Sequence, residues 1–286
     1  GHLRGCRAVG LGHGSGPAGE IEVRARFVII ADGPLSPFGR ALGTARTRTY
    51  AQGVAMRGYF PSPRHSENII ESVFDLRDSA GHQLPGYGWI FPVGDGTVNT
   101  GVGLLSHHHG NDPQSIRELF NKWIRQIPES WGVHIDDIED EPKGGRLPMG
   151  ASVRPRSGPN WVVVGDAAGS VNPFNGDGVE PALSNGRLAA SVVHDALAKR
   201  DGLELRRYEK QLTSSYDHYY RLGRLVTEAL GKPGLMRRLT LLGIQSRVLT
   251  ELVMRISTNL VNNDAGGTES VYEIGKVLAR LIPDRD

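Results

Sequence analysis

The chain has 286 residues, 38% of them hydrophobic, which is enough for a sizeable core and more than one simple small domain holds, so a two-part globular architecture is expected. Lys and Arg number 33 against 31 Asp and Glu, and a formal charge of +2 without a basic, aromatic-interleaved cluster excludes nucleic acid as the expected partner. The lone Cys6 excludes an internal disulfide framework and a cysteine-based zinc site and fits a reducing, cytoplasmic compartment, while no apolar run reaches the roughly 18 residues of a spanning helix or the core of a signal peptide.

In chain order, two strand-like runs at 7–11 and 20–31 flank a Gly/Ser/Pro turn and read as a hairpin leading into a buried strand, Phe27-Val28-Ile29-Ile30. The glycines at 10, 12, 14 and 16 read as a flexible hairpin tip rather than a dinucleotide fingerprint: started at Gly10 or Gly12, G-x-G-x-x-G would require glycine at Ser15 or Pro17, and no helical pattern follows. The strand ends in Asp32-Gly33, then a polar turn carries Ser36, and Arg40 falls on a short helix. Residues 50–148 are strand-rich, in the runs YAQGVAMRGYF, NIIESVFDL, YGWIFPV and TVNTGVGLL. One helix interrupts them, with Asp112-Pro113 as N-cap and first position and Ile116, Leu119, Phe120, Trp123, Ile124 and Ile127 at helical spacing. A second apolar strand, Trp161-Val162-Val163-Val164, meets Gly165-Asp166. A long helix then runs from Gly178 to Lys199 with a small-residue face at Ala182, Ala189 and Ala190, and the chain is helical again from Leu203, broken at 231–234 and 262–267.

The fold class expected is α/β, α+β overall. The expected segments are 1–49, ending beyond the first strand and its aspartate, a strand-rich 50–155, 156–200 with the second strand, its aspartate and the long helix, and a helical region over 201–286.

The chemistry concentrates where strands end. In open α/β sheets ligands bind beyond the carboxyl ends of the strands, and two strand tips here carry aspartate followed by glycines and a helix. An aspartate in that position accepts hydrogen bonds from sugar or ribityl hydroxyls, where a lysine would call for a phosphate. Gly176 and Gly178 let backbone approach a flat ring or a pyrophosphate, and the following helix presents free N–H groups. The run His107-His108-His109 reads as a solvated loop, and no metal site is expected. Arg57, Arg146 and Arg154 are candidates for meeting an anionic head group, against a surface or interdomain role.

The pair ADGPLSPFGR and GDAAGSVNPFNGDGVEPALSNGRLAA resembles the two C-terminal flavin motifs of FAD-dependent oxidoreductases of the aromatic-hydroxylase fold. With Gly169 where the hydroxylases usually carry histidine, and Ser184-Asn185-Gly186 beyond, the second motif looks more like the geranylgeranyl reductase branch. Tyr87-Gly88-Trp89-Ile90-Phe91-Pro92 followed by Val98-Asn99-Thr100-Gly101-Val102-Gly103 is similar to that branch's Y-x-W-x-F-P…V-G-x-G signature. Within it, LPGYGWIFPVGDGTVNTGVG most resembles the actinobacterial menaquinone reductases. The resemblance runs from about residue 26 to the C-terminus.

That resemblance implies a Rossmann-like FAD/NAD(P)-binding domain, incomplete at its N-terminus and made of 1–49 and 156–200, with an inserted antiparallel-sheet substrate-binding domain over 50–155 and a helical C-terminal region over 201–286. It implies FAD as cofactor and the saturation of isoprenoid double bonds in a polyprenyl lipid such as menaquinone as activity. It implies that Asp166 contacts the ribityl or pyrophosphate region, that Pro173, Asn175, Gly176, Asp177 and Gly178 pass the isoalloxazine edge, and that Asp32 and Gly33 support the same cofactor. Tyr87, Trp89 and Phe91 alternate along a strand and share one face; the resemblance makes that face the wall of the substrate cavity. No catalytic proton donor is identified, Tyr87 being a candidate by residue type alone, and no electron donor is implied. The family also begins with a β-α-β unit opened by G-x-G-x-x-G and a cysteine-containing segment near the flavin; this sequence contains neither the unit nor the segment, so the expectation is a chain that enters the flavin domain partway and binds FAD weakly or not at all. The basic, amphipathic stretch within 206–260 adds peripheral contact with an anionic membrane to a cytoplasmic location. The rival readings are a flavin monooxygenase acting on an aromatic or polyketide ring and a non-catalytic lipid- or protein-binding remnant.

Overall fold

The structure, a computed structural model, describes residues 6–9, 20–50, 52–78, 80–106, 113–214, 216, 220 and 223. The hairpin-tip glycines, the three histidines, the helix cap at Asp112 and most of the basic C-terminal stretch lie outside the described residues. The elements are β1 (Cys6–Val9), β2 (Glu20–Val23), β3 (Val28–Ile30), α1 (Pro37–Ala41), β4 (Ala45–Arg46), β5 (Gln52–Pro61), β6 (Glu71–Val73), β7 (Gly86–Pro92) and β8 (Thr97–Ser106), then α2 (Pro113–Ile124), β9 (Lys143–Pro148), β10 (Val153–Arg154), β11 (Trp161–Val163) and α3 (Val179–Lys199). They divide into two compact units: 1–48 with 151–171 and 177–218, and 49–150 with 172–176 and 219–286.

The first unit is built on a parallel pair. β11 lies beside β3 with Trp161, Val162 and Val163 opposite Val28, Ile29 and Ile30. β11 is apolar throughout because both of its faces are covered. Val162 and Val164 pack with Ala189, Val192 and Ala196 of α3 and with Leu205, Tyr208 and Leu212, whereas Trp161 and Val163 face Ile30, Ala167 and Ala168. The expected burial of Phe27–Ile30 holds for Ile30 but is corrected at Ile29, which projects from the opposite face of a single paired strand and is 43% exposed. The expected small-residue face of α3 is corrected too. Ala189 is buried with Asn185, Val192 and Ala196, but Ala190, about 100° further round, is exposed. β1 and β2 form the antiparallel hairpin expected of the N-terminal runs.

Residues 206–214 are helical and carry Glu209 back to the loop before β11. Its Oε1 accepts hydrogen bonds from Nη2 of Arg156 at 2.8 Å and from Nη1 of Arg154 at 3.2 Å, and its Oε2 accepts the backbone N–H of Arg156 at 3.0 Å. Arg156 is 1% exposed, so its charge depends on this one carboxylate. Burial would raise the Glu209 carboxyl, but the hydrogen bonds and charge of Arg156 outweigh it and hold the group below the usual carboxylate value.

The second unit is a five-stranded antiparallel sheet in the order β6-β7-β8-β5-β9 with α2 on one face. All six apolar residues noted at helical spacing in and just after α2 are buried, against Met56, Phe60, Ile90, Val98 and Val102 of the strands. The strand β9 is invisible to hydrophobic patterning because its sequence, KGGRLP, is an exposed edge held only by β5. The run NIIESVFDL yields only the three residues of β6, the opposite edge, which leaves Ile70 73% and Phe74 54% exposed.

Gly88 on β7 is a packing requirement, since a Cβ there would sit 2.7 Å from the Trp123 ring of α2. Gly88→Ala is therefore expected to destabilise the protein by about 1–3 kcal/mol in urea unfolding, as overpacking does. Glu209→Ala, which strands the buried Arg156, should cost about 3–5 kcal/mol, and an Arg156→Met/Glu209→Leu double variant much less. Because the Glu209 carboxyl is lowered in the folded state, its stabilisation is complete above the unfolded carboxylate value and is lost as pH falls through the folded one. The parent-minus-Glu209→Ala difference should shrink over that acid range.

Candidate functional site

In the first unit the two aspartates follow the same ends of paired parallel strands: Asp32 comes after β3, Asp166 after β11, and the Val164 N–H extends the ladder to the Ile30 carbonyl at 2.9 Å. Asp32 is exposed, and its Oδ2 accepts the Phe38 N–H at 3.0 Å, so it caps the first turn of α1. That cap is needed because Ser36, at the N-cap position with φ 33°, makes no side-chain cap itself. Its hydroxyl is buried without a partner among the described residues, enclosed by Gly39, where a Cβ would stand 2.4 Å from Ser36 Oγ. Gly33, at φ 77°, makes the turn between them.

Asp166 sits in the short 3-10 turn Gly165–Ala168, half-buried. Desolvation alone raises its carboxyl above the ordinary aspartate value, and no hydrogen bond to the side chain offsets it among the described residues. The surrounding glycines hold the backbone close. A Cβ on Gly178 would stand 3.0 Å from Asp166 Oδ1, and one on Gly165 3.2 Å from the Ala182 Cβ of α3. Gly169, at φ 69°, has no room for a side chain, since a Cβ would meet Ser152 Oγ at 2.7 Å and the Val153 nitrogen at 2.8 Å. Asp177 caps α3 by accepting the Val179 N–H at 2.8 Å. A half-buried carboxylate in want of donors, with Gly178 beside its Oδ1 offering no side chain, suits the hydroxyls of a bound polyol.

Residues 172–176 belong to the other unit. Asn172 closes this loop on itself, accepting the Phe174 N–H on Oδ1 at 2.9 Å and the Gly176 N–H on its carbonyl at 2.9 Å. Gly176 has φ 75°, and Pro173 is buried. The Asn175 carbonyl accepts the hydroxyl proton of Tyr87 on β7. That bond occupies the Tyr87 O–H, so a proton donated from Tyr87 would first have to leave the Asn175 carbonyl.

Tyr87 begins a row of rings. Its centroid lies 5.9 Å from Trp89, Trp89 lies 6.0 Å from Phe91, and Phe74 continues the row on the other side at 5.7 Å. Trp89 is fixed at three points: its indole N–H donates to Asn99 Oδ1 at 2.8 Å, its carbonyl accepts the Thr100 hydroxyl, and its ring lies where a Cβ on Gly101 would be 2.6 Å away. Thr100 in turn accepts the Trp123 indole N–H at 2.9 Å, which ties the row to the core beneath it.

The structure therefore gathers Asp166 with Gly178 in one unit, and Asn175 and Gly176 with Tyr87, Trp89 and Phe91 in the other. Asp32 and Asp177 have helix-capping hydrogen bonds of their own. Phe74 and Asn99 are residues to which the sequence assigns no role. The signal for Asn99 was present, a polar residue inside the run TVNTGVGLL, whereas that for Phe74 was masked by a run too short to show alternation. Among the described residues no group of three His, Cys, Asp or Glu could hold a metal ion, and no helix is long and apolar enough to cross a membrane.

No family model matches the chain. It is 34% identical over 294 residues to a menaquinone reductase of Mycobacterium tuberculosis, covering 99% of this chain and 69% of that protein. It is 33% identical over 186 residues to digeranylgeranylglycerophospholipid reductase 2 of Methanosphaera stadtmanae, covering 64% of this chain and 44% of that protein. The fold matches the crystal structure of a geranylgeranyl bacteriochlorophyll reductase-like protein from Thermoplasma acidophilum, with a TM-score of 0.65 at 21% identity, over 93% of this chain and 64% of that one.

Because the folded state disfavours the charged form of Asp166, Asp166→Asn should unfold at higher denaturant concentration than the parent at neutral pH. The difference should close as pH falls through the raised carboxyl value, where the parent protonates. Paired urea titrations across pH check this.

Proposed function

The chain belongs to the geranylgeranyl reductase family of flavin-dependent oxidoreductases, and on that premise we propose that it binds FAD, with the low affinity its sequence leads to expect, and saturates isoprenoid double bonds in a polyprenyl lipid such as menaquinone, at a membrane surface. The observation that carries the reading is the hydrogen bond from Tyr87 to the Asn175 carbonyl. It fastens the loop of the second flavin motif to the head of an aromatic row, within one unit.

The residues present fit a flavin. Asp166, desolvated and without a donor, would take the hydroxyls of the ribityl or ribose part, and Gly178 leaves its oxygen uncovered. Asn175 and Gly176 would border the ring, with Pro173 buried behind them. Gly33, Asp32 and Asp177 would act by shaping turns and helix ends through the caps they make. When bound, the flavin supplies the hydride that alkene reduction requires.

The chain's own contribution is orientation and exclusion of water. An isoprenoid chain is apolar and flat at each double bond, and it packs well against ring faces in a row. Trp89, locked by Asn99, Thr100 and Gly101, offers such a face with little conformational freedom left to lose. Tyr87 holds its proton on the Asn175 carbonyl, beside the position assigned to the ring. The relatives named above are reductases of a quinone and of a phospholipid, and this chain spans only part of each, so the lipid class is inferred from the shared tail rather than from the head group.

Anaerobic incubation of the protein with FAD, a chemical reductant and a polyprenyl quinone is expected to add two hydrogens to the tail for each bond saturated, read by mass spectrometry. Oxygen-dependent hydroxylation of a ring in place of this would overturn the reading in favour of a monooxygenase. Asp166→Ala, which removes a charged acceptor, should weaken flavin binding roughly 10- to 100-fold in fluorescence titrations. Retention of parental affinity would remove Asp166 from the cofactor site.

A further inference from the structure

The face of the five-stranded sheet opposite α2 has a defined pattern of side chains. One rung across it reads Trp89, Gly101, Arg57 and Lys143 on β7, β8, β5 and β9. The neighbouring rung reads Tyr87, Gly103, Ala55 and Gly145. Successive side chains on one face of a strand belong to alternate residues, so both rungs present to the same side. The second rung is a floor of almost no side-chain height, walled at one end by Tyr87. A Cβ on Gly145 would meet nothing within 4 Å, and one on Gly103 would meet nothing nearer than 3.6 Å.

The first rung breaks the apolar pattern with a cation. Arg57 is half-buried, and its guanidinium makes no ion pair and no hydrogen bond among the described residues. Its one contact of note is the ring of Tyr59, 5.1 Å from the guanidinium carbon to the centroid. Lys143, opposite it on β9, brings a second positive charge to the same rung rather than a counterion. A guanidinium carries five donors in a planar fork and loses hydration when it is partly enclosed. Beside an aromatic row and a glycine floor, the ligand that satisfies it carries an apolar chain and an oxygen acceptor at one end.

The geometry points to Arg57 as the anchor for the oxygen-bearing head of the lipid, with the tail lying from Arg57 over the Gly103–Ala55–Gly145 floor against Tyr87 and Trp89. This rests on the proposed lipid-reductase reading and deepens it. The floor accepts any isoprenoid, and Arg57 sets which end of it is held and therefore how far along the tail a given double bond falls. The shared chemistry is an oxygen acceptor for guanidinium N–H groups, which either a phosphate or a quinone carbonyl supplies.

The test is equilibrium binding of three probes in detergent micelles to the whole chain, followed by tryptophan fluorescence: geranylgeranyl phosphate, a short-tailed menaquinone, and squalene, which has no head. The parent should bind one or both headed probes more tightly than squalene. Arg57→Met should lower affinity for a headed probe about 10- to 100-fold, as expected for a hydrogen bond to a charged group, while leaving squalene unchanged. Arg57→Lys should restore part of the loss. The probe that Arg57→Met weakens more identifies the head, and a strong salt dependence confined to the phosphate probe marks the ionic case. Parental affinity for both headed probes in Arg57→Met, or an equal loss for squalene, would overturn the assignment of Arg57 and leave the lipid-binding face standing. If the parent binds none of the three, the lipid-reductase reading itself fails and the anchor falls with it.

Discussion

The three parallel rungs between β3 and β11 are the constraint from which the first unit follows. Parallel strands cannot be joined by a short turn, so a long connection separates Ile30 from Trp161, and the burial of Ile30 and of all three β11 residues helps offset the entropy of that closure. Burial on both faces explains why β11 is apolar at every position and why Asp166 comes as an abrupt change of character at its end. The parallel register also decides that both aspartates leave from the same edge. Antiparallel pairing would have sent them to opposite ends of the strands.

In the second unit the corresponding constraint is the Thr100 hydroxyl, which is fully buried and serves two tryptophans at once. It accepts from Trp123 on the core side and donates to the backbone of Trp89, whose ring occupies the other face. One small polar residue thus couples the packing of α2 to the placement of the aromatic row. The glycines of β8 and β7 answer the same demand. Gly101 yields space to the Trp89 ring on one face, and Gly88 yields space to Trp123 on the other. A strand this rich in glycine would be weak in isolation, and here the two indoles take the places of the missing side chains.

Most of this was legible in the sequence wherever the physics is local or periodic. The helical spacing of Ile116, Leu119, Phe120, Trp123, Ile124 and Ile127 found the buried face of α2, and the alternation of Tyr87, Trp89 and Phe91 found a common face of β7. What stayed hidden depends on neighbours distant in the chain. Lys143–Pro148 is a strand only because β5 supplies hydrogen bonds to an otherwise unpromising edge. The exposure of Ile29 could not be read from a run of four apolar residues, because apolarity does not say how many layers are present. The capping hydrogen bonds of Asp32 and Asp177 were likewise invisible, since a motif gives the residue type at a strand or helix end but not what its carboxylate touches.

Unsatisfied polar groups are the places where a fold departs from its own rules, and three of them here differ in kind. Ser36 has a buried hydroxyl without a partner, but it is neutral, short and enclosed by Gly39, so the loss is small and no ligand can reach it. Asp166 and Arg57 differ from it: both are ionisable or charged, and both are partly open to solvent. They also have opposite demands, one for donors and the other for acceptors. In the proposed reading the hydroxyls of a cofactor meet the carboxylate's demand in one unit, and the oxygen of a lipid head meets the guanidinium's demand in the other.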